Sequence, residues 1–247
     1  MVKSMLLSIY RPIYIMLLVI NTILTGFMVI LCSFFDPSGN FVGLLGKTWS
    51  RLNLFLVGVC VRLTGLENIS KGQPYIIMIN HQSLFDVWAL AGFLPIQMRW
   101  IVKKELRKVP LFGIACERMG QIFIDRKNPE QSHVELQVLK SKFKNGASAV
   151  FAPEGTRSPD GKLLPFKKGG FVMALRTGIP ILPVTINGSR FCLPRSSIKF
   201  YPGVIRINVH KPVSVDGYTY DTKEKLMDLV RGTIEAKLDA ADTANPK

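Results

Sequence analysis

Acidic residues are scarce in this 247-residue chain: 17 Asp and Glu stand against 32 Lys and Arg, for a net charge of +15. Mean hydropathy is nevertheless positive, at +0.24. A chain both basic and apolar points to an anionic membrane surface more than to nucleic acid, and it carries no zinc finger, RRM signature or KH loop. Cysteine is limited to Cys32, Cys60, Cys116 and Cys192, with no C-x-x-C pair. Such spacing reads as reduced thiols in a cytosol-facing protein rather than as a disulfide frame or a metal site. Histidine is rarer still, at three residues, and no internal repeat is present.

Charge is nearly absent from residues 12–46, where Asp36 stands alone. Residues 13–35 are almost wholly apolar, interrupted by Asn21, Thr22, Thr25 and Ser33. That length suffices for a membrane span and is too long for a signal-peptide core. A turn signal follows at residues 36–40. A second apolar stretch, residues 41–63, carries Lys47, Arg51 and Arg62 and reads as a helix with one wet face. Lys3 and Arg11 flank the first stretch, and Lys47 and Arg51 flank the turn. With both flanks basic, a hairpin that enters one leaflet and returns is slightly favoured over a single crossing.

Beyond residue 64 short apolar runs alternate with amphipathic ones. Strands are expected at 75–79, 100–102, 121–124, 147–151 and 181–186, with a strand pair at 198–201 and 204–209. Helices are expected at 83–93, 129–144, 170–176 and 223–238. The alternation predicts an α/β fold, a mixed sheet covered by helices. The expected division is a membrane-associated pair of helices over 1–64 and a catalytic domain over 65–247.

One histidine stands at the end of a strand pattern with a carboxylate five residues on, in Asn80-His81-Gln82-Ser83-Leu84-Phe85-Asp86. Imidazole takes a proton near neutral pH, and a buried carboxylate fixes its tautomer and steadies its charged form. No serine, cysteine or metal cluster nearby is arranged as a nucleophile. The pair therefore reads as a base for a hydroxyl on the substrate. Ser83 and Asp86 also form a Ser-x-x-Asp capping pattern, so Asp86 has a second reading as a helix cap. Both hold together if His81 precedes the helix and curls over its first turn, beside free helix-start amides.

Phe151-Ala152-Pro153-Glu154-Gly155-Thr156-Arg157-Ser158 follows another strand, placing Glu154, Gly155, Thr156 and Arg157 on a loop at the sheet's carboxyl edge. Arg157 suits a phosphate and Thr156 adds a donor, though a surface turn with a solvated ion pair has the same composition. Arg126 is expected at the same edge, with a strand-end ion pair to Asp125 as the alternative. Lys104 follows a short strand. Pro180, Pro183 and Val184 form an apolar wall suited to an acyl chain or to packing.

Taken in order, these segments resemble the bacterial-type glycerolipid acyltransferase family, in particular 1-acylglycerol-3-phosphate acyltransferases. The resemblance rests on Asn80-His81-x4-Asp86, Gly120 to Arg126, Pro153 to Ser158 and Pro180 to Val184. It implies a glycerol-3-phosphate acyltransferase-like fold in which His81 and Asp86 drive acyl transfer to the sn-2 hydroxyl of a lysophosphatidate, without a covalent intermediate. It further implies an acceptor phosphate among Arg126, Glu154, Gly155, Thr156 and Arg157, with Lys104 as a further contact. Glu154 would organise the loop more than touch the phosphate. No cofactor and no metal are implied; acyl-CoA or acyl-carrier protein is the co-substrate. Membrane lipids are the expected partners, nucleic acid is not, and the expected place is the cytoplasmic face of the inner membrane. Alternatives are another lysophospholipid or a lyso-ornithine lipid as acceptor, or a non-catalytic membrane-bound lipid-binding protein.

Overall fold

A computed structural model describes residues 2–36, 39–124 and 146–239. The chain opens with α1 (Val2–Ser33) and α2 (Asn40–Val57), which pack against each other. Their partners run in opposite order along the chain: Tyr14 donates to the Asn53 carbonyl, Asn21 to Asn53 Oδ1, and Trp49 Nε1 to Thr22 Oγ1. The two helices are therefore an antiparallel hairpin. Of the polar residues that interrupt the apolar run, Asn21 and Thr22 thus meet α2 side chains, and Thr25 bonds back to Asn21. The opposite face of α1 exposes Ile13, Met16, Ile20, Leu24 and Phe27. Tyr10–Ser33 is long and apolar enough to cross a membrane by length and composition, with mean hydropathy 2.5.

The helix expected over 41–63 ends early. Gly58, with φ 79°, caps α2, and its amide returns to the carbonyls of Leu54 and Phe55. Residues Val59–Thr64 then form β1. The remaining elements are β2 (Ile76–Ile79), α3 (Phe85–Phe93), β3 (Met98–Lys103), α4 (Phe112–Arg118), β4 (Ile122–Ile124), β5 (Ser148–Phe151), α5 (Gly169–Thr177), β6 (Ile181–Asn187), the single turn α6 (Ser189–Cys192), β7 (Gly203–Val209) and α7 (Lys223–Glu235). The helix expected over 129–144 lies outside the described residues.

Among the described residues seven strands run in the order β1-β7-β6-β2-β5-β3-β4. All neighbours are parallel except β6 and β7. β2 is buried at every residue, as a central parallel strand must be when helices cover both faces. Ile77 and Ile79 point toward the layer that holds Tyr14, Leu54, Phe85 and Leu90. Ile76 and Met78 point toward Phe171 and Met173 of α5 and Leu226 and Val230 of α7. The hairpin and α3 therefore cover one face, and α5 and α7 the other.

The strand pair expected around residues 202 and 203 is half present. β7 forms, but residues 198–201 have no strand partner. Phe200 instead turns inward onto the rings of Tyr14 and Tyr10, at 4.3 and 6.4 Å between centroids.

Chain direction places the site. From β2 the chain passes through α3 to β3, beyond β5; from β5 it passes through α5 to β6, on the far side of β2. From these neighbouring strands the chain leaves for opposite faces of the sheet, α3 lying on one and α5 on the other. A crevice opens at the carboxyl ends of two strands that part in this way. His81 follows β2 there, and Glu154 follows β5.

Candidate active site

Asn80 ends β2 by bonding to β6 as a strand residue would. Its side-chain amide donates to the Ile186 carbonyl at 2.8 Å and its oxygen accepts the Ile186 amide at 2.7 Å. The next residue, His81, is freed from the ladder at a fixed point. Its own backbone is gripped from the β5 loop: His81 N donates to Glu154 Oε1 at 2.8 Å, and Ser158 N donates to the His81 carbonyl at 2.7 Å.

The His81 side chain lies 2.8 Å from Asp86, Nδ1 to Oδ2, with 19% of it exposed while Asp86 is fully buried. A carboxylate accepts, so Nδ1 carries the proton and Nε2 keeps the lone pair. Asp86 Oδ2 also accepts the amides of Gln82 and Ser83, each at 2.8 Å. Ser83 Oγ accepts the Phe85 amide and donates to the Leu193 carbonyl. One oxygen therefore braces the turn that leads into α3 and orients the imidazole. The same bonds engage the amides of Gln82, Ser83 and Phe85, so these three are not free donors at the helix start. Ser83, fully buried and bonded at its hydroxyl, is held as scaffold.

Glu154 is buried and both of its oxygens are occupied, Oε1 by His81 N and Oε2 by Leu164 N at 2.9 Å. Burial pushes its carboxyl above the usual carboxylate range, while the two amides pull the other way. These two bonds tie the loop to the backbone of the histidine. Gly155 has φ +71°, and a Cβ there would lie 2.8 Å from Lys167 Cε, so Lys167 crosses directly over the glycine.

A cavity of about 1660 Å³ opens beside His81. Gly155, Thr156, Arg157 and Lys167 line it with the histidine, as does Lys103 at the end of β3. The structure thus brings together His81, Gly155, Thr156 and Arg157. Lys104, by contrast, is not part of the lining. β3 runs one residue longer than expected, through Lys103, and Lys104 begins a separate helical turn. Pro180, Pro183 and Val184 are also absent from the lining. Pro180 accepts the Ile76 amide, Pro183 accepts the His210 amide, and Val184 is fully buried in the sheet, so they pack rather than face the cavity. Arg126 lies outside the described residues. Away from the crevice the lining is mostly apolar, with Val19 and Ile23 of α1, Trp88 of α3, Trp100 of β3 and Phe112 of α4, and Lys47 and Arg99 also reach it.

Sequence reasoning missed Lys103 and Lys167 as cavity cations. Two lysines stand side by side at 103–104 and again at 167–168, and adjacency alone does not say which member faces inward. His210 is set apart from the chemistry: its Nε2 lies 2.8 Å from Thr185 Oγ1, which donates to the Ile234 carbonyl and fastens α7 to β6. Among the described residues no cluster of three or more His, Cys, Asp or Glu side chains could hold a metal ion.

Residues 60–187 match the Acyltransferase family. A 1-acyl-sn-glycerol-3-phosphate acyltransferase of Pseudomonas aeruginosa is 32% identical over 176 residues, which cover 69% of this chain and 67% of that protein. The chloroplastic 1-acyl-sn-glycerol-3-phosphate acyltransferase BAT2 of Brassica napus is 34% identical over 171 residues, covering 68% of this chain and 49% of its own length. This chain thus spans about half the length of its plant relative. The crystal structure of the 1-acyl-sn-glycerophosphate acyltransferase PlsC from Thermotoga maritima superposes with a TM-score of 0.79 at 29% identity, covering 95% of this chain and 96% of that one. The chain belongs to the acyltransferase family, in the company of the 1-acyl-sn-glycerol-3-phosphate acyltransferases.

Proposed function

We propose that this protein transfers a fatty acyl group from acyl-CoA or acyl-carrier protein to the sn-2 hydroxyl of 1-acyl-glycerol-3-phosphate, yielding phosphatidate. The observation that carries this reading is the His81–Asp86 pair at 2.8 Å on the wall of a cavity that Arg157, Lys103 and Lys167 also line. His81 Nε2 takes the hydroxyl proton while Asp86 steadies the imidazolium. The acceptor oxygen attacks the thioester carbonyl carbon, the carbon–sulfur bond breaks, and the leaving thiolate takes the proton back from Nε2. Ester and thiol are the products. With Ser83 engaged in backbone bonds, the acceptor's own oxygen is the attacking nucleophile.

The three cations and Thr156 suit a phosphomonoester, and Arg157 brings a planar fork of donors. The apolar walls suit the hydrocarbon chain of a lipid substrate. The names of the relatives favour lysophosphatidate over other lysolipids as acceptor. On this reading the α1–α2 hairpin holds the crevice at headgroup depth on the cytoplasmic face of the inner membrane, where the lysolipid resides.

Purified protein offered lysophosphatidate, lysophosphatidylglycerol, lysophosphatidylcholine and a lyso-ornithine lipid, with each acyl donor, tests the proposal. Phosphatidate formation from lysophosphatidate, lost in His81→Ala while the protein stays folded, is the expected result. Turnover of the other acceptors with none of lysophosphatidate would overturn the acceptor assignment, and no turnover of any would overturn the enzyme.

A further inference from the structure

No Asp or Glu occurs between Asp160 and Asp216, while Arg190, Arg195 and Lys199 all fall in that interval. Within it, α6 and the segment linking it to β7 expose three large apolar side chains: Phe191 (46%), Ile198 (80%) and Tyr201 (38%). Arg195 and Lys199 beside them are exposed as well. An isoleucine so nearly bare, interleaved with cations and aromatic rings, is an unusual surface for water to cover.

Its place in the fold says what covers it. Phe200 packs on Tyr14 and Tyr10 of α1, and the Arg11 guanidinium lies over the Tyr201 ring, 5.2 Å from its centroid. The segment is therefore fastened to the amino-terminal end of the helix whose uncharged face is bare. It also reaches the site from its other side. Leu193 accepts the Ser83 hydroxyl at 2.8 Å, and Arg190 donates to the Asp160 carbonyl in the loop that follows Arg157.

We propose that residues 191–201 form a second membrane-contact element, in which Phe191, Ile198 and Tyr201 enter the headgroup layer of an anionic bilayer while Arg195 and Lys199 meet its phosphates. The inference rests on the reading that α1 lies in the bilayer. Aromatic side chains favour the interface and cations near it are drawn to anionic lipid. An acidic carrier protein would satisfy the cations but not the apolar tips, and attachment to the amino-terminal end of α1 through Tyr10, Arg11 and Tyr14 favours lipid. The element would seat α1 and the start of the catalytic helix at one depth, since Phe200 holds the former and Leu193 the latter.

The test uses the full chain in nanodiscs of phosphatidylglycerol and phosphatidylethanolamine, in a Cys60→Ser background. An environment-sensitive fluorophore is placed by Ile198→Cys, by Phe27→Cys on the bare face of α1, or by Tyr220→Cys ahead of α7 on the opposite side of the sheet. Lipids carrying a nitroxide at the headgroup are expected to quench position 198 several-fold more than position 220, and acyl-chain nitroxides to quench position 27. Arg195→Glu with Lys199→Glu should weaken quenching at 198 in these discs. Quenching at 27 with none at 198 beyond that at 220 overturns the second contact while α1 keeps its place. Absence of quenching at 27 overturns the placement of α1 and the proposal with it. A response at 198 only on adding an acidic carrier protein assigns the surface to that partner and overturns the lipid assignment.

Discussion

Replacing Asp86 by Asn tests the central pair with little change of shape. Asp86 Oδ2 receives three donors at 2.8 Å, from His81 Nδ1 and the amides of Gln82 and Ser83. Its other oxygen, Oδ1, is buried with no partner among the described residues. An asparagine can set its oxygen in the Oδ2 position and its NH₂ in the vacant Oδ1 position, keeping all three acceptor contacts. What is lost is charge. Hydrogen bonds to a charged group contribute about 1.5–3 kcal/mol against about 0.5–1.5 for neutral ones. Losing part of two backbone bonds gives an expected destabilisation of about 1–3 kcal/mol. The imidazolium formed in the reaction loses its counter-charge in a fully buried setting, so the rate should fall by roughly 10²–10⁴-fold. Steady-state acyl transfer, followed by thiol release alongside a chemical unfolding curve, separates the two effects. The reasoning expects a large fall in kcat with a small change in KM and a folded protein. Retention of activity within about tenfold of the parent would refute it, because general-base catalysis is worth more than that.

Further expectations follow from neighbouring residues. Glu154→Gln leaves one oxygen for two backbone amides, so either His81 N or Leu164 N faces an NH₂ group, a loss of about 1–3 kcal/mol visible in Tm. Because burial raises the Glu154 carboxyl, its contribution to stability is present at acid pH and fades as pH rises through its folded value; the variant lacks this titration, so the stability gap should narrow with rising pH, and a widening gap would contradict the burial argument. Asn80→Ala orphans a buried amide and a buried carbonyl of Ile186, for an expected loss of about 2–5 kcal/mol by urea unfolding, and a loss under 1 kcal/mol would show that β6 needs no such bridge. Burial pushes the Cys116 thiol up to about 11, so in the folded protein the exposed Cys60 should react with maleimide at neutral pH well before Cys116; equal rates would contradict the burial of Cys116.

Much of the site was legible because its grammar is local. The His81–Asp86 spacing, the Ser83 capping signal and the Pro-Gly turn at 153–155 each depend on residues a few positions apart. What could not be read depends on residues brought from afar. Asn80 works through Ile186, Ser83 through Leu193, and Glu154 through Leu164. β1 was hidden because Val59–Thr64 continues an apolar run, and only the positive φ of Gly58 turns it from helix to strand. Residues 198–201 have a strand's alternation, yet the aromatic pair on α1 captures Phe200 and no ladder forms. The choice of Lys103 over Lys104 turns on where β3 stops, a boundary set by pairing with β4 through Ile124. The cavity's apolar wall comes from helices and β3 rather than from Pro180–Val184, because β6 is covered on both faces.

Thiol release from the acyl donor with and without lysophosphatidate, in a single-turnover mixing experiment, tests the account's core most directly. If His81 draws the proton from the acceptor's hydroxyl, thiol and phosphatidate should appear together and only when the acceptor is present. A burst of thiol from donor and protein alone, leaving the acyl group on the chain, would contradict it.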